Sequence, residues 1–497
     1  MAAAILALTA APAVAQGTLA SGDWLQFQAD AAHAGSVPDG PQPAFRQAWR
    51  FDPGLSGRFG VSAPVIAGDL VVTVAPHAVY GMELATGQQR WLLDRDFGPS
   101  VPPAIARDAT GTVLLYTEGF GANPPAEAFP SSTPSPSSPG TAPTPSTSEA
   151  GSDAAGAAFD SRVVAVDLTT RRPVWDAPVQ LEAVSRTGVT VEGSGAYVGD
   201  DDGTVTAIDL ASGAVEWTYD GPGPVVTPIG AAEGTLVLST QPRPGEPAVV
   251  IALDRSDGSE RWRFQPTTLP FIATVPAIAG DAVTLGFSDQ TGSRARALAL
   301  ADGTPRWETA ANSQFSPLTS LVPTATTVIA VDAYGQAYAL DPSEGEPVWD
   351  YALNTVAVRS VPVLIGSSLL VPTDGGELVA IDVDSHQLVA RTAGSGPRGY
   401  LGPMAVAARL VVAVKGGHHP GLVAFEHDPD APLLSIASPT VLALGPMMAD
   451  LAIALLPLLL LLGLGGRWLH ARLGPAFADE GPQDGGKRGD RPEAEPG

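Results

Sequence analysis

The chain has 497 residues, a formal net charge of −25 and only two lysines, Lys415 and Lys487, so it offers no basic stripe for the phosphates of a nucleic acid partner. It contains no cysteine, which excludes disulfides, thiolate metal sites, a cysteine nucleophile and a lipid anchor attached through cysteine. Apolar residues make up 44% of the chain, enough for a sizeable core.

Residues 1–15, MAAAILALTAAPAVA, place a short apolar run ahead of Ala13-Val14-Ala15, the small-x-small pattern of a signal-peptidase site, and are expected to be a signal peptide that lacks a basic leading region. Residues 16–44 form an N-terminal segment whose Trp24 and Phe27 suit packing against the domain that follows. Next comes a strand-like piece at 45–51, FRQAWRF, with Trp49.

From residue 79 onward one pattern returns eight times: an apolar run, a carboxylate, a glycine turn and a tryptophan. Its clearest copies are 205–217, VTAIDLASGAVEW, and 250–262, VIALDRSDGSERW; the others begin at 79, 163, 295, 337, 378 and 422, and the last two lack the tryptophan. Trp175, Trp217, Trp262, Trp307 and Trp349 follow one another at 42, 45, 45 and 42 residues, and Trp49 precedes Trp91 by another 42. A strand-rich unit with a period in the low forties predicts a β-propeller of four-stranded antiparallel blades over 45–437. Eight motifs predict eight blades. Seven is the alternative, because the last copy is degenerate and 45–51 competes with 432–437 to be its outer strand.

Each part of the motif has a mechanical reading. Ten residues before the tryptophan position stands Gly81, Ala165, Ala207, Ala252, Ala297, Ala339, Ala380 or Ala424, which suggests close approach of a neighbouring sheet. Glu83, Asp167, Asp209, Asp254, Asp341, Asp382 and Glu426 are placed to accept backbone N–H groups across the turn that follows. Gly87, Gly213, Gly258, Gly303 and Gly345 supply the positive φ of that turn. Trp91, Trp175, Trp217, Trp262, Trp307 and Trp349 are then expected to dock over the turn or an adjoining blade.

The first strand of each repeat begins near a recurrent proline: Pro64, Pro103, Pro228, Pro276, Pro323, Pro362 or Pro403. Residues just ahead of these prolines enter the innermost strands, so Arg58, Ser62, Thr227, Thr274, Arg359, Ser360, Arg398 and Tyr400 form a candidate collar at one mouth of the central channel. Hydroxyls with a few arginines suit an anionic small molecule or a peptide carboxylate. Solvated loops account for the same residues. Residues 121–158 interrupt the second repeat with a Pro, Ser and Thr run that has no means of forming a packed core. Asp200 to Asp202 resemble part of a calcium loop but sit at a hairpin turn, and His418, His419 and His427 match no established ligand spacing. Residues 441–466 are apolar with Asp450 alone interrupting, long enough for a transmembrane helix. Arg467, His470 and Arg472 follow at once and put the tail, 467–497, in the cytoplasm and the propeller outside.

The AxDxxxGxxxW pattern, clearest at Ala207 to Trp217 and Ala252 to Trp262, resembles the tryptophan-docking repeat of the pyrroloquinoline quinone (PQQ) repeat family, the quinoprotein dehydrogenase-like propellers. That resemblance covers about 45–437 and implies the fold. The family includes PQQ-dependent alcohol and sugar dehydrogenases and also non-enzymatic BamB-type propellers of outer-membrane protein assembly. The dehydrogenases carry a vicinal cysteine pair against the cofactor, which this chain lacks, and their calcium ligands and catalytic aspartate have no assignable counterpart here. The expectation is therefore a membrane-anchored, extracytoplasmic, non-enzymatic module with a protein or envelope partner and no cofactor. The alternatives are a dehydrogenase using PQQ and calcium, and a ligand-binding sensor.

Overall fold

The computed structural model describes residues 22–55, 60–107, 111–119, 161–241, 247–266, 271–272, 274–289, 292–309, 317–324, 326–392 and 399–431. Residues 1–15, 121–158, 441–466 and 467–497, together with Arg58 and Arg398, lie outside them. Among the described residues no helix is long and apolar enough to cross a membrane.

Short β-branched runs broken by glycine turns give strands, and these sort into eight sheets, antiparallel but for one short added strand. Blade one is the pattern for the rest: Val65–Ala67, Leu70–Ala75, Ala78–Glu83 and Gln89–Asp94, from the axis outward. The first three strands are buried almost throughout, whereas Gln89–Asp94 alternates between exposed and half-buried positions. The innermost strands of blades two to seven are Ala104–Arg107, Thr190–Glu192, Gly230–Ala232, Ala277–Ala279 with Phe271–Ile272 ahead of it, Leu318–Pro323 and Val363–Ile365. Blade eight is built from Tyr400–Val406, Leu410–Gly416 and Gly421–His427, and its outermost strand is Phe45–Phe51 from the other end of the sequence. The ring therefore closes through the N-terminal strand. The innermost strand of blade one lies against those of both blade two and blade eight, so the count is eight.

This closure explains the tryptophan missing from the eighth copy. Trp49 pairs with Ala424, as Trp217 pairs with Ala207 and Trp262 with Ala252. The small residue of the motif is thus explained differently from the sequence expectation: it faces the indole of its own blade, not a neighbouring sheet. A Cβ built on Gly81 would stand 2.0 Å from the Trp91 ring. At the same point the pairing of third and fourth strands slips by one residue in blades one and three to seven, a bulge that leaves one residue of the fourth strand unpaired.

The aspartates of the motif close their turns as expected, whereas the Glu83 carboxylate accepts from Thr86 Oγ1 and Arg90 and that of Glu426 pairs with Arg46. Asp167 Oδ1 accepts from the backbone of Thr169 and Thr170, Asp209 Oδ1 from Ser212, Asp254 Oδ1 from Ser256 and Asp341 Oδ1 from Ser343 and Glu344. Five of the tryptophans cover the turn of the next blade. Trp49, Trp175, Trp217, Trp262 and Trp307 donate their indole N–H to the carbonyls of Leu84, Leu210, Arg255, Leu300 and Pro342 at 2.8, 2.9, 3.1, 2.8 and 2.8 Å. Each ring lies over a glycine of positive φ: Gly87, Gly213, Gly258, Gly303 and Gly345. The prolines precede the innermost strands of blades one, two, five and seven, but Pro323 ends its strand and Pro403 lies within Tyr400–Val406, at a break in pairing between Leu401 and Met404.

Candidate functional site

Because strands alternate in direction, the turns between second and third strands share one face with the connections between blades. The docking turns share the opposite face with the turns between first and second strands. Each innermost strand presents an unpaired backbone edge to the axis, and residues 23–37 supply partners for it. The Trp24 and Ile66 backbones exchange two bonds, of 2.9 and 2.7 Å, in blade one. Ile105 N donates to Leu25 O in blade two, Ala231 N to Ala31 O in blade four, Ile278 N to Ala32 O in blade five and Leu364 N to Gly35 O in blade seven. In blade three the Gln26 amide takes the place of a backbone, accepting from Val191 N and donating to Val191 O, both at 2.8 Å. Gln28 Nε2 donates to Ser320 Oγ of blade six at 3.2 Å. The segment ends in Ser36–Val37, which runs parallel to Val363–Ile365.

This strap lies toward the docking face, where Asp23 Oδ1 accepts from Gly68 N at 2.8 Å and its other oxygen pairs with Arg107. Trp24 is buried as expected; Phe27 is half-buried and meets His33 edge to face at 5.9 Å between ring centroids. Burial lowers the His33 pKa to about 4 and raises that of the neighbouring Asp30 carboxyl. His33 Nδ1 is buried without a hydrogen-bond partner among the described residues.

The candidate collar divides into two groups. Ser62, Thr227 and Thr274 each reach the second strand of their own blade: Ser62 Oγ accepts from Val74 N at 2.9 Å, Thr227 Oγ1 lies 2.8 Å from Ser239 Oγ, and Thr274 Oγ1 accepts from Gly286 N at 2.7 Å. The partner stands twelve residues on in all three, and Thr187 with Gly199 repeats the contact. These hydroxyls pin the start of one strand to the end of the next. The sequence showed the recurrence but not this partner.

Arg359, Ser360 and Tyr400 are brought together on the connection face. The Arg359 guanidinium lies 4.5 Å from the Tyr400 ring centroid and pairs with Asp374. Ser360 Oγ is buried and has no hydrogen-bond partner among the described residues. Around this cluster stand apolar side chains that the sequence reading passed over: Tyr334, 67% exposed, Val356, 38%, and Val358, 54%. Backbone bonds make them one surface, since Ala357 N donates to Ala333 O at 3.0 Å, Asp374 N to Val356 O at 2.9 Å and Leu401 N to Thr373 O at 2.9 Å. The available signal was an aromatic in the turn of 332–335, where the turns at 200–203 and 374–376 carry only polar residues and glycine, and the alternating valines of 354–360.

The remaining polar clusters are structural. Asp200 Oδ1 accepts from the backbone of Asp202, Gly203 and Thr204, so the acidic turn at 200–203 is closed on itself. His419 and His427 stand at opposite ends of Gly421–His427 and are not brought together; His427 Nδ1 lies 2.7 Å from Gln42 O, and His419 Nδ1 3.5 Å from Asp52. A calcium-bound quinone would need converging carboxylates in the channel. Among the described residues no three His, Asp or Glu side chains converge to hold a metal, and the strap's backbone lies along the inner strands.

Eight four-stranded blades, indole docking onto the next blade's turn and a strand exchanged between the two ends define a PQQ-repeat β-propeller. A family profile described as Outer membrane protein assembly factor BamB matches residues 160–321 and 293–413, together just over half of the chain. The chain belongs to that family. Outer membrane protein assembly factor BamB of Nitrosomonas eutropha is 28% identical over 201 residues, which is 38% of this chain and 47% of the relative, so the match spans about half the relative's length. The crystal structure of BamB from Moraxella catarrhalis superposes with a TM-score of 0.54 at 15% identity, covering 77% of this chain and 100% of that one. A quinohemoprotein alcohol dehydrogenase from Comamonas testosteroni gives 0.53 at 13% identity, covering 83% and 82%. The computationally designed Ika8 protein gives 0.55 at 12%, covering 77% and 99%. At these identities the solved structures speak for the fold alone.

Proposed function

We propose that this chain is a non-enzymatic protein-interaction module of the cell envelope, anchored by residues 441–466 with the propeller outside the cytoplasm and 467–497 within it. The observation that carries the reading is the surface of Tyr334, Val356 and Val358 beside Arg359 and Tyr400. It sets two tyrosines and an arginine, side-chain types that dominate binding energy at protein interfaces, beside exposed valines. Membership of a family named for outer membrane protein assembly supports the same reading. The partner is a protein that offers an apolar side chain to this patch.

The test places a photoreactive benzophenone side chain at position 334 of the full chain in native membranes, alone and combined with Val358→Glu. A discrete crosslinked protein is expected, and Val358→Glu should remove it while leaving the melting temperature unchanged. Two results would overturn the proposal: no discrete crosslink, or quinone-dependent dye reduction with alcohols or sugars by the purified chain supplied with PQQ and calcium.

A further inference from the structure

Five of the docked indoles set the rule for the blade interfaces, and two interfaces break it. Where the turn carries glycine, a Cβ would stand 2.4 to 2.6 Å from the indole, so only glycine lets the ring lie flat on the turn. Blades two and seven put Arg171 and His386 in that place, both in left-handed conformation with φ of 58° and 59°. In blade seven the imidazole fills the space itself, stacking on Trp349 with centroids 5.1 Å apart. In blade two no ring fills it. Trp91 stays half-buried, and its indole N–H has no hydrogen-bond partner among the described residues.

The result is a cleft of about 420 Å³ on the docking face between blades one and two. That volume lies within the usual range for small-molecule sites. Trp91, Leu70 and Leu168 supply its apolar wall, and Arg90, Arg107, Arg171 and Asp69 its charges. Two of the three guanidiniums are already matched. Arg90 binds Asp69 at 2.7 Å and Glu83 at 3.0 Å, and Arg107 binds Asp23. The Arg171 side chain has no carboxylate partner among the described residues, and its Nη1 makes a 3.4 Å bond to Thr169 O. Arg171 is therefore the one guanidinium of the cleft without a carboxylate of its own, next to an indole that lacks an acceptor.

We propose that this cleft binds a monocarboxylate whose body is aromatic or aliphatic. Arg171 donates to the carboxylate, the Trp91 N–H is available as a further donor, and the body lies along Trp91, Leu70 and Leu168. A dianion is disfavoured because Asp69 shares the wall and only one guanidinium is unmatched. The same chemistry could be presented by a small organic acid or by the terminal carboxylate of a peptide. The site is on the face opposite the Tyr334 surface, and neither proposal depends on the other.

The experiment is calorimetric titration of the full chain with 3-phenylpropanoate, with its neutral amide and with N-acetyl-alanyl-phenylalanine bearing a free terminal carboxylate. A charge-assisted hydrogen bond predicts that the acid binds roughly tenfold or more tightly than the amide. Arg171→Gln should remove that preference without lowering the melting temperature. Tighter binding of the peptide would identify a chain terminus as the natural source, and equal or tighter binding of the small acid a free metabolite. Equal affinity for acid and amide, no binding of either carboxylate at millimolar concentration, or undiminished binding to Arg171→Gln would overturn the proposal. The acid-to-amide ratio is measured on the unaltered protein and stands whatever the fold of the variant.

Discussion

His33 is the residue at which burial has the most direct thermodynamic consequence. It lies in the strap, enclosed and bonded to the Pro276 backbone, and desolvation lowers its pKa from the ordinary 6.5 to about 4. Between those two values the unfolded chain binds the proton and the folded chain does not, so acidification favours unfolding. The stability that His33 allows is complete above pH 6.5 and is lost progressively as the pH falls toward 4. Asp30, three residues away, works in the opposite sense: its carboxyl is raised by burial, so the folded state takes up its proton more readily. Comparing the native chain with His33→Gln isolates the imidazole from that background. Chemical denaturation at pH 7 and pH 4.5 should show the native chain losing about 2 to 3 kcal/mol more than the variant. Parallel losses in both proteins would mean that His33 is not desolvated as its burial implies.

At the scale of the element, what the sequence disclosed depended on whether the information was periodic. Carboxylate, glycine and tryptophan recur at fixed offsets, so the turns and the ring could be read from Asp209, Gly213 and Trp217 before any coordinate was known. The bulge opposite Trp217 could not, because a one-residue slip leaves no compositional mark beyond the small Ala207. Nor could the role of Thr274, whose partner is a backbone amide twelve residues away. The closing strand was half legible: Trp49 was in phase, but its pairing with Ala424 spans the whole ring. That strand has a property no internal strand shares, since it joins the two ends of the ring without a covalent turn. Trp49 is 8% exposed, lies over Gly87 of blade one and donates to Leu84 O. Trp49→Ala should cost about 3 to 5 kcal/mol, as large-to-small changes in a core do. It should also release the edge of Gly421–His427 to pair with another chain. Denaturation and light scattering would measure both effects; a monomeric variant that lost less than about 1 kcal/mol would show that closure does not depend on this side chain.

At the scale of the whole molecule, a ring of repeats faces the weakness of any repeat array: each blade contacts only its neighbours, so opening at one interface can spread without engaging the rest. The strap counters this by bonding one chain segment to the inner strands of blades one to seven. Seven inner-strand amides depend on it, those of Ile66, Ile105, Val191, Ala231, Ile278, Leu364 and Gly366. This is also why residues 23–37 were opaque as a sequence, since their content is backbone bonding to strands scattered over some three hundred residues. Removing the chain up to residue 38 while retaining Phe45–Phe51 separates the strap from the closing strand. Hydrogen exchange should then show those seven amides losing protection together, with strands remote from the axis, such as Val215–Asp220 and Pro347–Ala352, unchanged. Thermal unfolding should broaden as the blades cease to report on one another. Uniform loss of protection across every strand would mean that the strap is needed merely to fold the ring, whereas unchanged protection at the seven amides would mean that the blades hold their inner edges without it.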